Sequence, residues 1–309
     1  MARFRRPDPD PDASRRSEEG IAAIQAGGIP PAATERLTAL AKEGGRFFTS
    51  DLTKAEFLLV RQAGFRPITQ VMGSCFYSVG WQYMPMGSSW GYSGGGTVEL
   101  DVQSEAWNEA RRLALGRLSQ EAKLAGADAV LGVEIKRGHY DWAKGLIEFV
   151  AVGTAVVSES YDLGEEVFLS SLSGQQFASL VRAGFMPVGI TAGSTVAYVV
   201  GGFQTMQALS GYGSRWQNQE LTELTRGIYA ARQFAMRRVE QQARALDASG
   251  IVAVQIEQGQ QAREIDQQGY KRLDLIVTMH VIGTAIAPID EPDEAPATYI
   301  ALALNEESR

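Results

Sequence analysis

The sequence is poor in soft metal ligands, with one cysteine, Cys75, and two histidines, His139 and His280, among 309 residues. A single thiol excludes an intrachain disulfide and fits a reducing, cytoplasmic setting. Zinc and copper sites draw on about four thiolate or imidazole ligands in short motifs, and no two of these residues share one. We therefore assign no metal-ligating residue, although symmetry in an oligomer could collect one ligand from each subunit. We expect Cys75 to be a small buried hydrophobe, His139 to lie in a hairpin turn and His280 to lie in a strand.

Basic residues do not outnumber acidic ones, because 29 lysines and arginines stand against 36 aspartates and glutamates, for a net charge of −7. The chain thus lacks the basic stripe of a nucleic-acid-binding protein. No apolar run approaches the roughly 18 residues that a membrane-spanning helix needs. The basic start is followed by PDPDPD, which is not the apolar core of a signal peptide. These absences predict a cytoplasmic protein with no nucleic-acid partner and no membrane span.

The sequence also lacks the common catalytic motifs: a GxSxG elbow, a Walker A loop and a dinucleotide fingerprint are all missing. The glycine-rich stretch at 87–96 has neither the strand-turn-helix spacing nor the lysine of a phosphate loop. Two acids, Asp128 and Glu134, lie in or beside a predicted strand. A general acid–base pair or a hard-cation site would need both carboxylates in one cleft, whereas charged side chains are normally exposed. We assign no catalytic residue and no cofactor.

What the sequence does contain is an internal duplication. Three blocks recur in the same order, at offsets of 120, 121 and 130 residues, so the drift is confined to loops. Self-similarity of this kind indicates two copies of one structural unit. The matched pairs are 48–74 with 168–194, 109–135 with 230–256, and 153–155 with 283–285.

Each copy begins with the signals of a short helix. Thr53 precedes Glu56 by three residues, which is the spacing of a capping box. Gly64 follows where a left-handed residue ends a helix, and a proline three residues later prevents its continuation. The second copy repeats these residues as Ser173, Gln176 and Gly184, and the predicted helices are 54–63 and 174–183.

Each copy continues with a β-rich run that has a glycine and a serine in its middle, Gly73-Ser74 and Gly193-Ser194. An interior glycine in a strand indicates a bulge or a close approach of another backbone. A long amphipathic helix follows, then two alternating strands joined by a hairpin. Part of the apolar face of this helix is lined by alanines, which permit close packing. They are Ala110, Ala114 and Ala122 in the first copy and Ala231, Ala235 and Ala243 in the second.

The sequence thus predicts an α+β fold: two tandem copies of a β-α-β-α-β-β unit, each an antiparallel sheet covered by a long amphipathic helix. Short opening strands are expected at Phe47-Phe48 and at Val167-Phe168. The predicted segments are a largely disordered arm at 1–45, repeat 1 at 46–158, a linker at 159–167, repeat 2 at 168–287 and an acidic tail at 288–309.

Two stretches of repeat 1, EARRLALGRLSQEAKLAGADAVLGVEI (109–135) and FVAVGTAVV (149–157), resemble the core of the YbjQ-like family, which carries a heavy-metal-binding label. Repeat 2 keeps Ala231, Arg232 and the Gly-Thr-Ala sequence but has SGIVAV (249–254) in place of GADAV, so it is similar in a diverged form. The resemblance covers about two thirds of the chain. It implies a bacterial, cytoplasmic α+β unit that assembles into ring-like homo-oligomers, typically pentameric, with no settled activity.

The most unusual stretch is FYSVGWQYMPMGSSWGY (76–92), which is dense in aromatic residues and methionine. Such residues are enriched in interface cores, and methionine surfaces adapt to varied partners. Local packing over the sheet edge, an oligomer or partner interface, and a contact with a small apolar ligand or a membrane all remain open. The candidate interface or ligand-binding residues are Phe76, Trp81, Tyr83, Met84, Met86, Trp90 and Tyr92.

These features favour a non-enzymatic, homo-oligomeric assembly or binding protein that contacts itself, and an unknown protein partner, through its glycine-rich and aromatic loops. The alternative is metal-ion binding or sequestration, as the family label suggests. A second alternative is an enzyme or small-ligand-binding protein that uses the glycine-rich and aromatic loop.

Overall fold

The computed structural model describes residues 11–42, 48–80, 95–139, 145–210, 218–267 and 270–289. The helices in these ranges are α1 (Pro11–Gln25), α2 (Pro31–Lys42), α3 (Lys54–Gln62), α4 (Asp101–Leu124), α5 (Gly174–Arg182), α6 (Phe203–Ser210) and α7 (Thr222–Ala245). The strands are β1 (Phe65–Ser78), β2 (Gly96–Glu99), β3 (Ala129–His139), β4 (Leu146–Ser158), β5 (Phe168–Leu169), β6 (Phe185–Val200), β7 (Gly250–Gln267) and β8 (Tyr270–Pro288).

The strands form two four-stranded sheets in which equivalent strands follow the same order. One sheet has the order β1-β4-β3-β5 and the other the order β2-β6-β8-β7. Strands β1, β4 and β3 of repeat 1 correspond to β6, β8 and β7 of repeat 2, and all of these neighbours pair antiparallel. The predicted α+β fold is confirmed.

The third strand of each unit has a bulge at the same position. In β3 the register with β4 shifts between Leu131 and Glu134, and in β7 the register with β8 shifts between Val252 and Gln255. The bulged residues Gly132 and Ala253 have φ angles of 63° and 51°. An alanine is strained at a positive φ, whereas a glycine is not.

The two short helices have the predicted caps. The Oγ1 of Thr53 accepts a hydrogen bond from the amide of Glu56 at 3.3 Å, and the Glu56 carboxylate accepts one from the Thr53 amide at 2.9 Å. These bonds from Thr53, the backbone one first, hold the pKa of Glu56 below its usual value. Gly64 has a φ of 86°, the left-handed conformation that ends α3. Repeat 2 has the same capping box at Ser173 and Gln176, with Gly184 at a φ of 81°.

The interior glycines of β1 and β6 mark a close approach of a helix, which decides between the two explanations left open by the sequence. A Cβ placed on Gly73 would overlap the carbonyl oxygen of Ala114 in α4, and one on Gly193 would overlap the carbonyl oxygen of Ala235 in α7. Both alanines are buried. Each long helix therefore rests on its strand backbone to backbone.

Residues 11–42 differ from the expectation of a largely disordered arm, because they form α1 and α2 and pack against α4. The guanidinium of Arg117 in α4 donates to the carbonyl oxygens of Ile24 and Gly28, both at 3.2 Å. Leu37 of α2 is fully buried. These contacts join residues about 90 positions apart in the sequence, so the segment's own sequence does not reveal them.

The hairpins and opening strands also differ in detail from the prediction. Most of the loop expected after β7 is itself β-structure, since β7 and β8 pair as far as Gln267 and Tyr270. His139 was predicted in a hairpin turn, but it is the last residue of β3 and pairs with Ile147. The opening strand exists in repeat 2 as β5, whereas Phe48 lies outside any strand and Phe47 lies outside the described residues.

Candidate functional site at the junction of the repeats

Each repeat contributes a strand to the sheet of the other. We call this junction the inter-repeat seam; it consists of β5 on β3, and of β2 and α4 on β6. Strand β5 of repeat 2 pairs parallel with β3 of repeat 1, and β2 of repeat 1 pairs antiparallel with β6 of repeat 2. The β5 side continues past the strand, because the amide of Gly132 donates to the carbonyl of Leu172 at 3.0 Å and the amide of Val133 donates to that of Ser170 at 2.9 Å.

Helix α4 covers the rest of the β6 edge with polar side chains. The side-chain amide of Asn108 donates to the carbonyl of Ser194 at 2.8 Å and accepts from the Ser194 amide at 2.9 Å, as a neighbouring strand would. The hydroxyl of Ser104 accepts from the amide of Val196 at 2.9 Å. An exposed sheet edge invites pairing with another chain, and here the edge is satisfied by a helix of the other repeat.

The centre of the inter-repeat seam is the guanidinium of Arg111, which is buried between α4 and β6. It donates to the hydroxyl of Ser194 at 2.6 Å, to the carbonyl of Ala192 at 2.8 Å and to the side-chain oxygen of Asn108 at 2.6 Å. All three acceptors are uncharged. Burial, and next the positive charge of Arg238, lower the pKa of Arg111 to about 10, so the group remains charged at neutral pH.

His280 of β8 is a titratable group beside the inter-repeat seam. Its Nδ1 lies 2.8 Å from the hydroxyl of Ser194, and its ring packs against Trp107 of α4 with 4.7 Å between centroids. Burial lowers the pKa of His280 to about 3, with further contributions from Arg137 and Arg111. The imidazole is therefore neutral at physiological pH. Ser194 is fully buried and accepts from Arg111 of the other repeat, so this serine–histidine contact, which lies within repeat 2, is connected through Ser194 to the inter-repeat seam.

The low pKa of His280 predicts a loss of stability in mild acid. The unfolded chain binds a proton below about pH 6.5, while the folded chain does not until about pH 3. The contribution of the neutral ring is complete above about pH 6.5 and declines as the pH falls towards 3. We expect the urea midpoint to fall between pH 7 and pH 5, and the fall to be smaller in His280→Asn. His139→Asn is the control, because it should keep the wild-type difference. An equal fall in His280→Asn and the wild type would contradict the assignment.

Of the aromatic and methionine residues proposed from the sequence, one lies in the part of the chain that the structure describes. Phe76 lies near the end of β1 and is 58% exposed. Trp81, Tyr83, Met84, Met86, Trp90 and Tyr92 lie outside the described residues.

The other candidates from the sequence do not gather at one place. Cys75 is buried under α4 as expected, and burial raises the pKa of its thiol. The carboxylate of Asp128 accepts from the amide of Ser158 at 2.8 Å, a local contact at the start of β3. Glu134 is exposed beside Lys136. Asp128 and Glu134 therefore do not form an acid–base pair.

Sequence reasoning missed the residues that hold the inter-repeat seam. Asn108 and Arg111 were not singled out, and Ser194 was noted only for its neighbouring glycine. One signal was present, because both copies keep the Ala-Arg pair, as Ala110-Arg111 and Ala231-Arg232. Nothing local indicated that the two arginines would differ in burial.

Among the residues that the structure describes, no group of three or more His, Cys, Asp and Glu side chains lies close enough to hold a metal ion. Within the same part of the chain, no helix combines the length and the apolar character needed to cross a membrane.

The chain belongs to the YbjQ-like family. A family model described as "Putative heavy-metal-binding" matches residues 91–159. An encapsulin nanocompartment protein of Mycobacterium tuberculosis is 37% identical over 237 residues, which cover 75% of this chain and 84% of that protein. A UPF0145 protein of Clostridium perfringens is 39% identical over 61 residues, 20% of this chain and 56% of that protein.

A UPF0145 protein of Picrophilus torridus is 43% identical over 63 residues, which cover 20% of this chain and 52% of that protein. None of these relatives' names states an enzymatic activity. No solved structure matches the chain significantly. The mycobacterial relative matches three quarters of the chain, whereas the two UPF0145 proteins match about one fifth of it.

Proposed function

We propose that this chain is a non-enzymatic building block that assembles with copies of itself into a closed, ring-like homo-oligomer. The observation that carries the proposal is the character of the two outermost full strands. Strand β1 ends one sheet and exposes Met72 and Phe76, and β7 ends the other sheet and exposes Val254 and Ile256. Sheet edges that present apolar side chains are templates for pairing with another chain.

The relatives support the same proposal. One relative is named as a protein of a nanocompartment, and a compartment is built from many chains. Symmetric self-association is the usual arrangement of soluble oligomers. The resemblance to YbjQ-like proteins adds the expectation of a ring, with five members as the typical number. We place this assembly in the cytoplasm, where a single buried thiol without a disulfide partner is ordinary.

The proposal predicts a single oligomer larger than one chain in light scattering at micromolar concentration. The aromatic loop that follows β1 is proposed to line the contact, so Trp81→Ala combined with Trp90→Ala should shift the mass downward. Helix content in circular dichroism should stay unchanged, because neither residue belongs to a predicted helix. Trp142→Ala, between β3 and β4 in the sequence, is the matched control and should keep the wild-type mass. A monomeric wild-type protein would refute the proposal.

A further inference from the structure

We propose that the oligomer forms by repetition of the inter-repeat seam between chains, so that repeat 2 of one chain meets repeat 1 of the next in the way that repeat 1 meets repeat 2 within a chain. The partner that would cover the exposed residues of β1 and of β7 is thus a second copy of this chain. The segment 48–52 would lie on β7 of a neighbour, and β1 would receive α7 of a neighbour. This inference rests on the proposed homo-oligomer and specifies its interface.

The first support is the unequal burial of equivalent residues along β3 and β7. In β3 the residues that face β5 are buried, and Val133 is 4% exposed. The equivalent residue of β7, Val254, is 41% exposed, although its own sheet is built in the same way. The segment that would cover it is also less buried than its equivalent. Phe48 is exposed whereas Phe168 is half-buried, and Ser50 and Leu52 are half-buried whereas Ser170 and Leu172 are buried.

The same inequality appears on the other side of the inter-repeat seam. In β6, where α4 of the other repeat covers the edge, Ala192, Ser194 and Val196 are buried. The equivalent residues of β1 are Met72, Ser74 and Phe76, and the first and third of them are exposed. Residues at equivalent positions of equivalent folds differ here because α4 of repeat 1 covers those of β6.

The backbone of β7 already has the conformation with which β3 binds the equivalent segment of repeat 2. Gly132 places its amide towards Leu172 from a left-handed conformation, and Ala253 adopts the same conformation at a φ of 51°. A non-glycine residue is strained in that conformation. In the inferred contact the Ala253 amide donates to the carbonyl of Leu52 in the next chain. The bulge of β7 would then donate a hydrogen bond to another repeat, as the bulge of β3 does within the chain.

Helix α7 also has features that would let it cover β1 of a neighbour, as α4 covers β6 within the chain. It begins after Leu221 at φ −85° and ψ 79°, close to the values of −90° and 85° at Leu100 before α4. Its residue Tyr229 takes the place of Asn108 and is 66% exposed. The exposed Arg232 takes the place of the buried Arg111. An exposed tyrosine and arginine opposite the exposed Met72 and Phe76 make the composition of an interface core.

The inter-repeat seam is heterologous, because β3 and β6 receive different elements and neither repeat presents the same patch to the other. A heterologous contact repeated between chains generates a ring if the rotation closes and a filament if it does not. Each chain brings two units, so a ring formed in this way holds twice as many repeat units as chains.

Paired cysteines test the inferred contact directly. Val130 and Leu169 are partners across β3 and β5, and their equivalents are Ile251 and Thr49. Partners on adjacent strands lie within the range of Cα distances that a disulfide spans. We expect oxidised Thr49→Cys/Ile251→Cys to run as a ladder of covalent multimers on a non-reducing gel. Val130→Cys/Leu169→Cys is the control with the same geometry within one chain, and it should stay monomeric while forming its disulfide.

The single variants establish the direction of the contact. Thr49→Cys alone and Ile251→Cys alone should not cross-link, and their mixture should give dimers and nothing larger. Light scattering of the reduced variants must match the wild type, which separates a failed contact from a failed fold. An oligomer without cross-links, or a single variant that cross-links to itself, would overturn this inference and leave the homo-oligomer standing. A monomeric wild type would refute the homo-oligomer itself.

Discussion

Gly193→Ala is expected to lower the free energy of unfolding by about 3 kcal/mol, the upper part of the usual range for overpacking a core. The added Cβ would overlap the carbonyl oxygen of Ala235, which is helix backbone and cannot rotate away as a side chain would. The strand and helix α7 would have to separate along their whole contact. Urea denaturation at a fixed protein concentration measures the change, since assembly makes stability depend on concentration.

The matched control is Gly116→Ala in α4, where an added Cβ meets no atom within 4 Å. Alanine is favoured over glycine in a helix interior, so this variant should gain about 0.5–1 kcal/mol. The same substitution is thus expected to have opposite signs at the two sites. If Gly193→Ala were as stable as the wild type, the close backbone contact of helix and strand would be refuted.

Arg111→Ala is expected to destabilise the chain by about 3 kcal/mol or more. The substitution removes the donor to the Ser194 hydroxyl, the Ala192 carbonyl and the Asn108 side chain, all at the inter-repeat seam. Each acceptor keeps another partner, which is His280 for the Ser194 hydroxyl, Gln242 for the Ala192 carbonyl and the Ser194 amide for Asn108. The cost is therefore that of three lost bonds from a charged donor, roughly 1.5–3 kcal/mol each and only partly additive. Urea denaturation, followed by the fluorescence of Trp107 beside the inter-repeat seam, is the appropriate measurement.

Its neighbour in the sequence provides the control. Arg112 is exposed and pairs with Glu109 at 2.6 Å one helical turn away. An exposed ion pair is worth about 0–1 kcal/mol, so Arg112→Ala should change stability little. Equal effects of the two arginine substitutions would show that the inter-repeat seam does not depend on Arg111.

The sequence predicted the parts of the fold that local chemistry determines. The capping boxes at Thr53 and Ser173 and the left-handed glycines Gly64 and Gly184 need no distant partner to be recognised. The duplication predicted a repeated unit, because equivalent sequences fold alike. In the interior of each unit, therefore, sequence and structure agree.

Among the parts that were not predicted are those that cross between the repeats. Strand β2 is four residues long and pairs with the other repeat, so nothing in its own sequence marks it as a strand. Arg111 and Arg232 occupy equivalent places in the sequence, yet one is buried and the other exposed. Burial there depends on whether the other repeat covers the helix. A pattern of residues along one helix cannot record that.

The most direct test of the account is native mass spectrometry of the untagged, full-length protein, because it counts chains and detects bound metal in one measurement. We predict one species whose mass is a multiple, larger than one, of the 33.5 kDa chain, with no stoichiometric metal. A single 33.5 kDa species would contradict self-assembly, and a monomer that retains stoichiometric metal would favour metal binding in its place.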